Sequence, residues 1–215
     1  MVPRKIAAEI EAELSDAGLT GVSAWRVHRR AWSRRLRSAS GELVIRIVRC
    51  LDFDVPWARL TAYELIASHP TAVRALTPVD VRALSRGLAH WGDVDAFACY
   101  VAGPAWRERR LPSRQIWAWL SSSDRWLRRT AVVCTVALNV RARGGSGDVE
   151  RTLAVCSRAV ADRDDMVVKA VSWGLRSLIG SDRHAVGAFI QAHEHELDAR
   201  ITREVRTKLA TGRKA

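Results

Sequence analysis

The sequence has no long hydrophobic run. None of its uninterrupted apolar stretches approaches the roughly 20 residues that a membrane-spanning helix requires. Its opening stretch, Met1 to Glu9, turns acidic where a signal peptide would turn apolar. The expectation is a soluble cytoplasmic chain with no membrane partner. Lysine is scarce as well: of 35 Lys+Arg, four are Lys and the rest Arg. Tyr and Phe number two and three, against nine Trp. The four cysteines (Cys50, Cys99, Cys134 and Cys156) form no C-x-x-C pair. They read as small reduced core residues rather than zinc ligands or disulfides. Acids are outnumbered, and the formal net charge is +12.

What remains describes a globular protein. A hydrophobic fraction of 48% excludes wholesale disorder. The 215 residues suit one domain of ordinary size, or at most two small ones. A folded chain of that length hides roughly 70% of its extended-chain surface, so it needs no disulfide or metal staple.

Proline, glycine and aspartate divide the chain into short pieces, within which apolar residues recur at three and four. Ile6, Ile10 and Leu14 mark a first helix closed by Gly18, and Trp25 to Leu36 a basic second one. Pro56 opens a third, carrying Leu60, Tyr63, Leu65 and Ile66. Thr77-Pro78-Val79-Asp80 is a helix start with Pro at its first position. Pro112 opens another helix, and Asp124, Asp148, Asp164 and Asp182 each precede one as N-cap. Arg141 to Gly147 reads as a flexible loop, and a last helix runs from about Leu197 to Ala210. Leu43 to Val48 is rich in β-branched residues. A lone strand among helices has no partner, so it too is expected to be helical. Helix pairs recurring at intervals of about 40 residues suggest an all-α, HEAT-like α-solenoid of antiparallel pairs.

Several catalytic signatures are missing. Gly144-Gly-Ser-Gly147 leads into Asp148 rather than Lys, so it is no phosphate loop, and no G-x-G-x-x-G follows a strand. His193-Glu194-His195-Glu196 has the wrong spacing for H-E-x-x-H and reads as a solvated helix end. No metal or cofactor is expected. The basic residues are instead concentrated. Arg26 to Arg37 holds six Arg and no acid, and Arg107 to Arg151 holds ten Arg against four acids. Such density suits a surface that tracks phosphates and releases their counterions.

Three segments each set a Trp one turn from a charge. Trp91 and Asp95 are spaced i, i+4, and Trp126 and Arg129 i, i+3. Lys169, Trp173 and Arg176 follow at i, i+4, i+7 on one helix face. With their surroundings they read Trp91-Gly-Asp-Val-Asp95, Asp124-Arg-Trp-Leu-Arg-Arg-Thr-Ala131 and Met166-Val-Val-Lys-Ala-Val-Ser-Trp-Gly-Leu-Arg176. In this order and at these separations the chain resembles the AlkD family of alkylpurine DNA glycosylases. The resemblance covers residues 78 to 211 well and is faint over 1 to 77, within a single repeat domain spanning 1 to 215.

The resemblance implies a HEAT-like solenoid whose concave basic face grips duplex DNA. It implies a monofunctional glycosylase that hydrolyses the N-glycosidic bond of purines alkylated at N3 or N7, acting as a monomer and nucleoid-associated through the DNA. By position, Asp95 becomes the catalytic carboxylate, and Trp91 and Trp173 flank the deoxyribose. Arg129 holds a backbone phosphate. Arg128, Lys169 and Arg176, with Arg30 and Arg34 on the N-terminal basic helix, contact DNA. The chain departs from the family at Asp164-Asp165-Met166-Val167, where aromatics are usual, and the acids there are read as a helix cap. The competing expectation is a non-catalytic HEAT-like protein that binds duplex or branched DNA.

Overall fold

The computed structural model describes residues 2–16 and 21–213, and every regular element among them is helical. The fold is all-α, as expected. None of the described helices is long and apolar enough to cross a membrane. The chain divides into two compact units, one of Met1–Gly87 with Glu108–Leu111 and one of Leu88–Arg107 with Pro112–Ala215.

The first unit contains α1 (Val2–Asp16), α2 (Val22–Arg35), α3 (Gly41–Val48), α4 (Ala58–Ser68), α5 (Ala72–Ala75) and α6 (Pro78–Leu84). The close of α1, expected at Gly18, lies outside the described residues. The β-branched stretch is α3, with the Ser40 side chain accepting from the Leu43 amide at its start. Five of its eight residues (Gly41, Val44, Ile45, Ile47 and Val48) are buried, so packing outweighs their modest helix propensity. Pro56 does not open α4. Trp57 adopts the left-handed region (φ 67°), and the helix begins only at Ala58. The indole of Trp57 stacks on that of Trp25 at 5.6 Å, which holds the strained residue in place. Trp25 is fully buried, and its Nε1 donates to Thr61 Oγ1 at 2.7 Å. At α6 the expected start is a full capping box: Thr77 accepts from the Asp80 amide, and Asp80 from the Thr77 amide.

The second unit opens with a continuous rod, α7 (Trp91–Phe97), a π-helical turn (Ala98–Ala102) and α8 (Gly103–Arg107). Pro104 explains the turn. It has no amide to offer Tyr100, and its ring would crowd that carbonyl in a regular α-helix. After α9 (Ser113–Leu120) comes α10 (Arg125–Asn139), buried without a break from Arg129 to Asn139. The rod, α9, α11 (Val149–Arg158) and α12 (Asp165–Leu178) all pack on it. Two glycines let neighbouring helices approach α10 closely. A Cβ on Gly103 would lie 2.8 Å from the Cys134 carbonyl oxygen, and one on Gly174 would lie 2.9 Å from Thr135 Oγ1. α13 (Arg183–Ala192) and α14 (Ala199–Thr211) complete the unit.

Aspartate caps punctuate this unit. The carboxylates of Asp124, Asp148, Asp164 and Asp182 accept amide hydrogen bonds at the starts of α10 to α13. Asp198 does the same for α14, which therefore starts at Ala199 rather than near Leu197. The expected loop after α10 contains one 3-10 turn, Arg141–Arg143. Cys99, Cys134 and Cys156 are buried, and burial pushes the Cys99 and Cys156 thiols up to about 12. Cys50 departs from the expected core position. It follows the last turn of α3 and is exposed.

Candidate active site

Asp95 lies on α7, one turn after Trp91 and on the same face. The rod brings it against Arg129, the first residue of the buried run of α10. The contact is bidentate: Arg129 Nε donates to Asp95 Oδ1 and Nη2 to Oδ2, each at 2.9 Å. The remaining nitrogen, Nη1, donates to the Met166 carbonyl in the first turn of α12. One guanidinium thus ties together the helix of Asp95 and the helix of Trp173. The pair is largely shut off from water, with side-chain exposures of 7% for Arg129 and 19% for Asp95.

Two influences compete at Asp95. Burial raises its carboxyl above the ordinary carboxylate value and prevails. The Arg129 hydrogen bonds and charge, then the charge of Arg143, pull it down. Arg143 comes from the 3-10 turn and lies over the Tyr100 ring, 5.0 Å from its centroid. His90 is the N-cap of α7; its Nδ1 accepts from the Gly92 amide at 3.1 Å, and its ring sits 5.1 Å from that of Trp91.

Trp91 is 53% exposed, the one Trp among the exposed large hydrophobics of the described residues. An indole left in water beside a partly buried carboxylate contributes little to a core. It is free to touch a ligand.

Trp173 lines a cavity of about 440 Å³ with Lys169 and Arg176 of α12 and Arg200 and Glu204 of α14. The expected DNA contacts here sit in a salt-bridge network. Lys169 and Arg200 each reach Asp165 at 2.6 Å. Arg176 Nη2 lies 3.3 Å from Glu204, and Ser172 Oγ donates to the same carboxylate at 2.6 Å. Asp164 caps α12 as read from the sequence, whereas Asp165 is exposed and its carboxyl is held below the ordinary value, chiefly by Lys169.

Arg128 turns away from Asp95. Its Nε donates to Asp162 at 2.7 Å, and Nη1 to the Ser122 and Ser123 carbonyls. Arg30 and Arg34 belong to the first unit, exposed on one face of α2 with Arg26 and without an acidic partner among the described residues. At the end of α13, His193 pairs with Glu196, and Glu194 with Arg206. No group of three or more His, Cys, Asp or Glu suited to a metal ion occurs among the described residues.

The structure thus brings together Asp95 and Arg129 and joins the helix of Trp173 to them through Met166. Sequence reasoning missed the Met166 carbonyl, Arg143 and the two α14 residues, none of which carries a local signal. His90 stood beside the Trp91 motif and is detectable there only as a helix cap.

A half-buried carboxylate clamped by arginine, beside an exposed indole, thus sits in an all-helical chain of net charge +12. The family profile described as DNA alkylation repair enzyme matches residues 22–209, and the chain belongs to that family. Its role is in DNA repair, with DNA as the substrate. No curated protein and no solved structure matches the chain.

Proposed function

We propose that the protein is a monofunctional DNA glycosylase that hydrolyses the N-glycosidic bond of cationic N3- or N7-alkylated purines in duplex DNA. The observation that carries this reading is the fixed Asp95 carboxylate, held at both oxygens by Arg129 next to an exposed Trp91. An alkylated purine of this kind already bears a positive charge. When its C1′–N bond breaks, the electron pair goes to the base, which leaves neutral and needs no general acid. The sugar becomes oxocarbenium-like, as in other glycoside cleavages.

In this reading Asp95 stabilises the developing cation and accepts the proton of the water that attacks C1′. The indoles of Trp91 and Trp173 flank the sugar, where their faces attract its growing charge by about 0.5–2 kcal/mol per contact. Arg129 is a positioning residue: it holds the carboxylate ionised and aimed. A backbone phosphate reaching Arg129 would share a guanidinium already bonded to Asp95. Lys169, Arg176, Arg30 and Arg34 hold phosphates. No amine attacks C1′, so the products are free base and an intact abasic strand.

The test is excision from a duplex carrying one N7-methylguanine or one bulkier N3-alkyladenine. Release of free base by the wild type and not by Asp95→Asn is expected. No release of either lesion by the wild type, with tight duplex binding retained, would leave a non-catalytic DNA-binding protein.

A further inference from the structure

We propose that the first unit carries a phosphate-binding site of its own, in the recess where the first turn of α1 meets α3. The recess measures about 340 Å³ and is lined by Pro3, Arg4, Arg46, Arg49 and Cys50. α1 packs on α3, so its N-terminal turn brings Arg4 to the helix face that carries Arg46 and Arg49. Three guanidiniums converge there, and no acid lines the recess among the described residues.

Arg49 is pre-positioned. Its Nη1 donates to Asp80 Oδ1 at 2.8 Å, while Asp80 Oδ2 accepts from the Thr77 amide at 3.0 Å and the Thr77 hydroxyl at 2.6 Å. The capping box of α6 thus anchors one wall of the recess. Arg4 and Arg46 are exposed and have no acidic partner among the described residues. Arg49 already has Asp80 as counter-charge, so Arg4 and Arg46 are the two cations whose proximity an entering anion would relieve. Planar forks with several N–H donors each match the oxygens of phosphate.

Among the described residues no aromatic lines the recess for a base to stack on, so the feature recognised is the phosphate group. Its volume leaves room for a short phosphate chain as well as a single phosphate. That chemistry is shared by a DNA backbone and a free phosphorylated small molecule.

Cys50 provides a local reporter, because it is the exposed thiol on the wall and Cys99, Cys134 and Cys156 are buried. The experiment measures alkylation of Cys50 in the full-length folded protein by neutral iodoacetamide, read by intact mass. Inorganic triphosphate or an undamaged duplex is added at matched ionic strength. We expect alkylation to slow several-fold in the wild type and the protection to disappear in the Arg4→Ala, Arg46→Ala double variant. Protection by triphosphate assigns a free phosphorylated ligand, and protection by duplex alone assigns a DNA backbone. An unchanged rate with both probes, or protection that survives in the double variant, overturns the site. Neither arginine belongs to the Asp95 site, so the single-turnover rate of base excision at saturating enzyme is expected to persist in the same variant, whichever phosphate source the recess takes. Failure here is therefore distinguishable from failure of the glycosylase reading.

Discussion

In the proposed reaction Asp95 acts as an anion in a place that disfavours anions, and Arg129 offsets part of that penalty. Burial lifts the carboxyl above its ordinary value, so the ionised form that the proposed reaction needs disappears at a higher pH than for an exposed Asp, near 3.9. The acid limb of excision is therefore expected above that value, with the rate falling as pH drops through it. Arg129→Ala removes the largest opposing influence, and its acid limb should move to higher pH still. A pH–rate profile unchanged by that substitution would refute the positioning role. The same variant leaves a carboxylate uncompensated, with an expected loss of about 3–5 kcal/mol of folding stability. For stability the sign follows from the raised value: the folded chain holds the Asp95 proton more tightly than the unfolded chain does. The associated stability is present at low pH and is lost as pH rises through the folded value. Trp91 offers the opposite contrast to a core indole. Because it is 53% exposed, Trp91→Ala should leave the melting temperature nearly unchanged while slowing excision. Trp25→Ala, in the core of the first unit, should cost about 3–5 kcal/mol. A Trp91 variant with full activity would make that indole a bystander.

At the scale of the element, helix starts were the legible part. A cap is local: an Asp, or a Thr followed by Pro and Asp, announces itself within four residues, and Asp124, Asp148, Asp164, Asp182 and Thr77 all cap as read. What escaped depends on partners distant in sequence. Trp57 delays α4 because it stacks on Trp25, 32 positions earlier. The motif around Arg129 points to a phosphate and carries no sign that its guanidinium also bonds Asp95, 34 residues away. The π-turn after Asp95 was equally invisible, although Pro104 causes it. Two glycine substitutions test which element contacts are tight. In Gly103→Ala the new methyl would meet the Ala98 and Cys134 carbonyl oxygens at 2.6 and 2.8 Å. That forces α8 away from α10 and should cost about 1–3 kcal/mol. Gly187 lies within α13 with nothing within 4 Å of a new Cβ. Gly187→Ala should therefore stabilise by about 0.5–1 kcal/mol. Denaturant midpoints moving in the same direction for both would contradict the packing described.

At the scale of the whole molecule, a net charge of +12 overstates the cations available to DNA. Much of the positive charge between Arg107 and Arg151 is used internally. Arg107 donates to the Ala137 and Arg143 carbonyls, Arg128 to Asp162, Arg129 to Asp95 and Arg151 to Asp148. On α2, Arg29 and Arg35 take the nearby glutamates, and Arg26, Arg30 and Arg34 are exposed with no acidic partner among the described residues. Counterion release converts this difference into a measurement, because each phosphate contact adds about 0.9 to the magnitude of the salt slope for duplex DNA. The Arg30→Ala, Arg34→Ala double variant should lower that slope by up to about 1.8 with no effect on melting temperature. Arg128→Ala should leave the slope alone and lower the melting temperature, because it strands Asp162 and two carbonyls. Fluorescence anisotropy with an undamaged duplex over a salt series reads both slopes. A slope that falls for Arg128→Ala and not for the α2 double variant would place the phosphate track in the second unit instead of on α2.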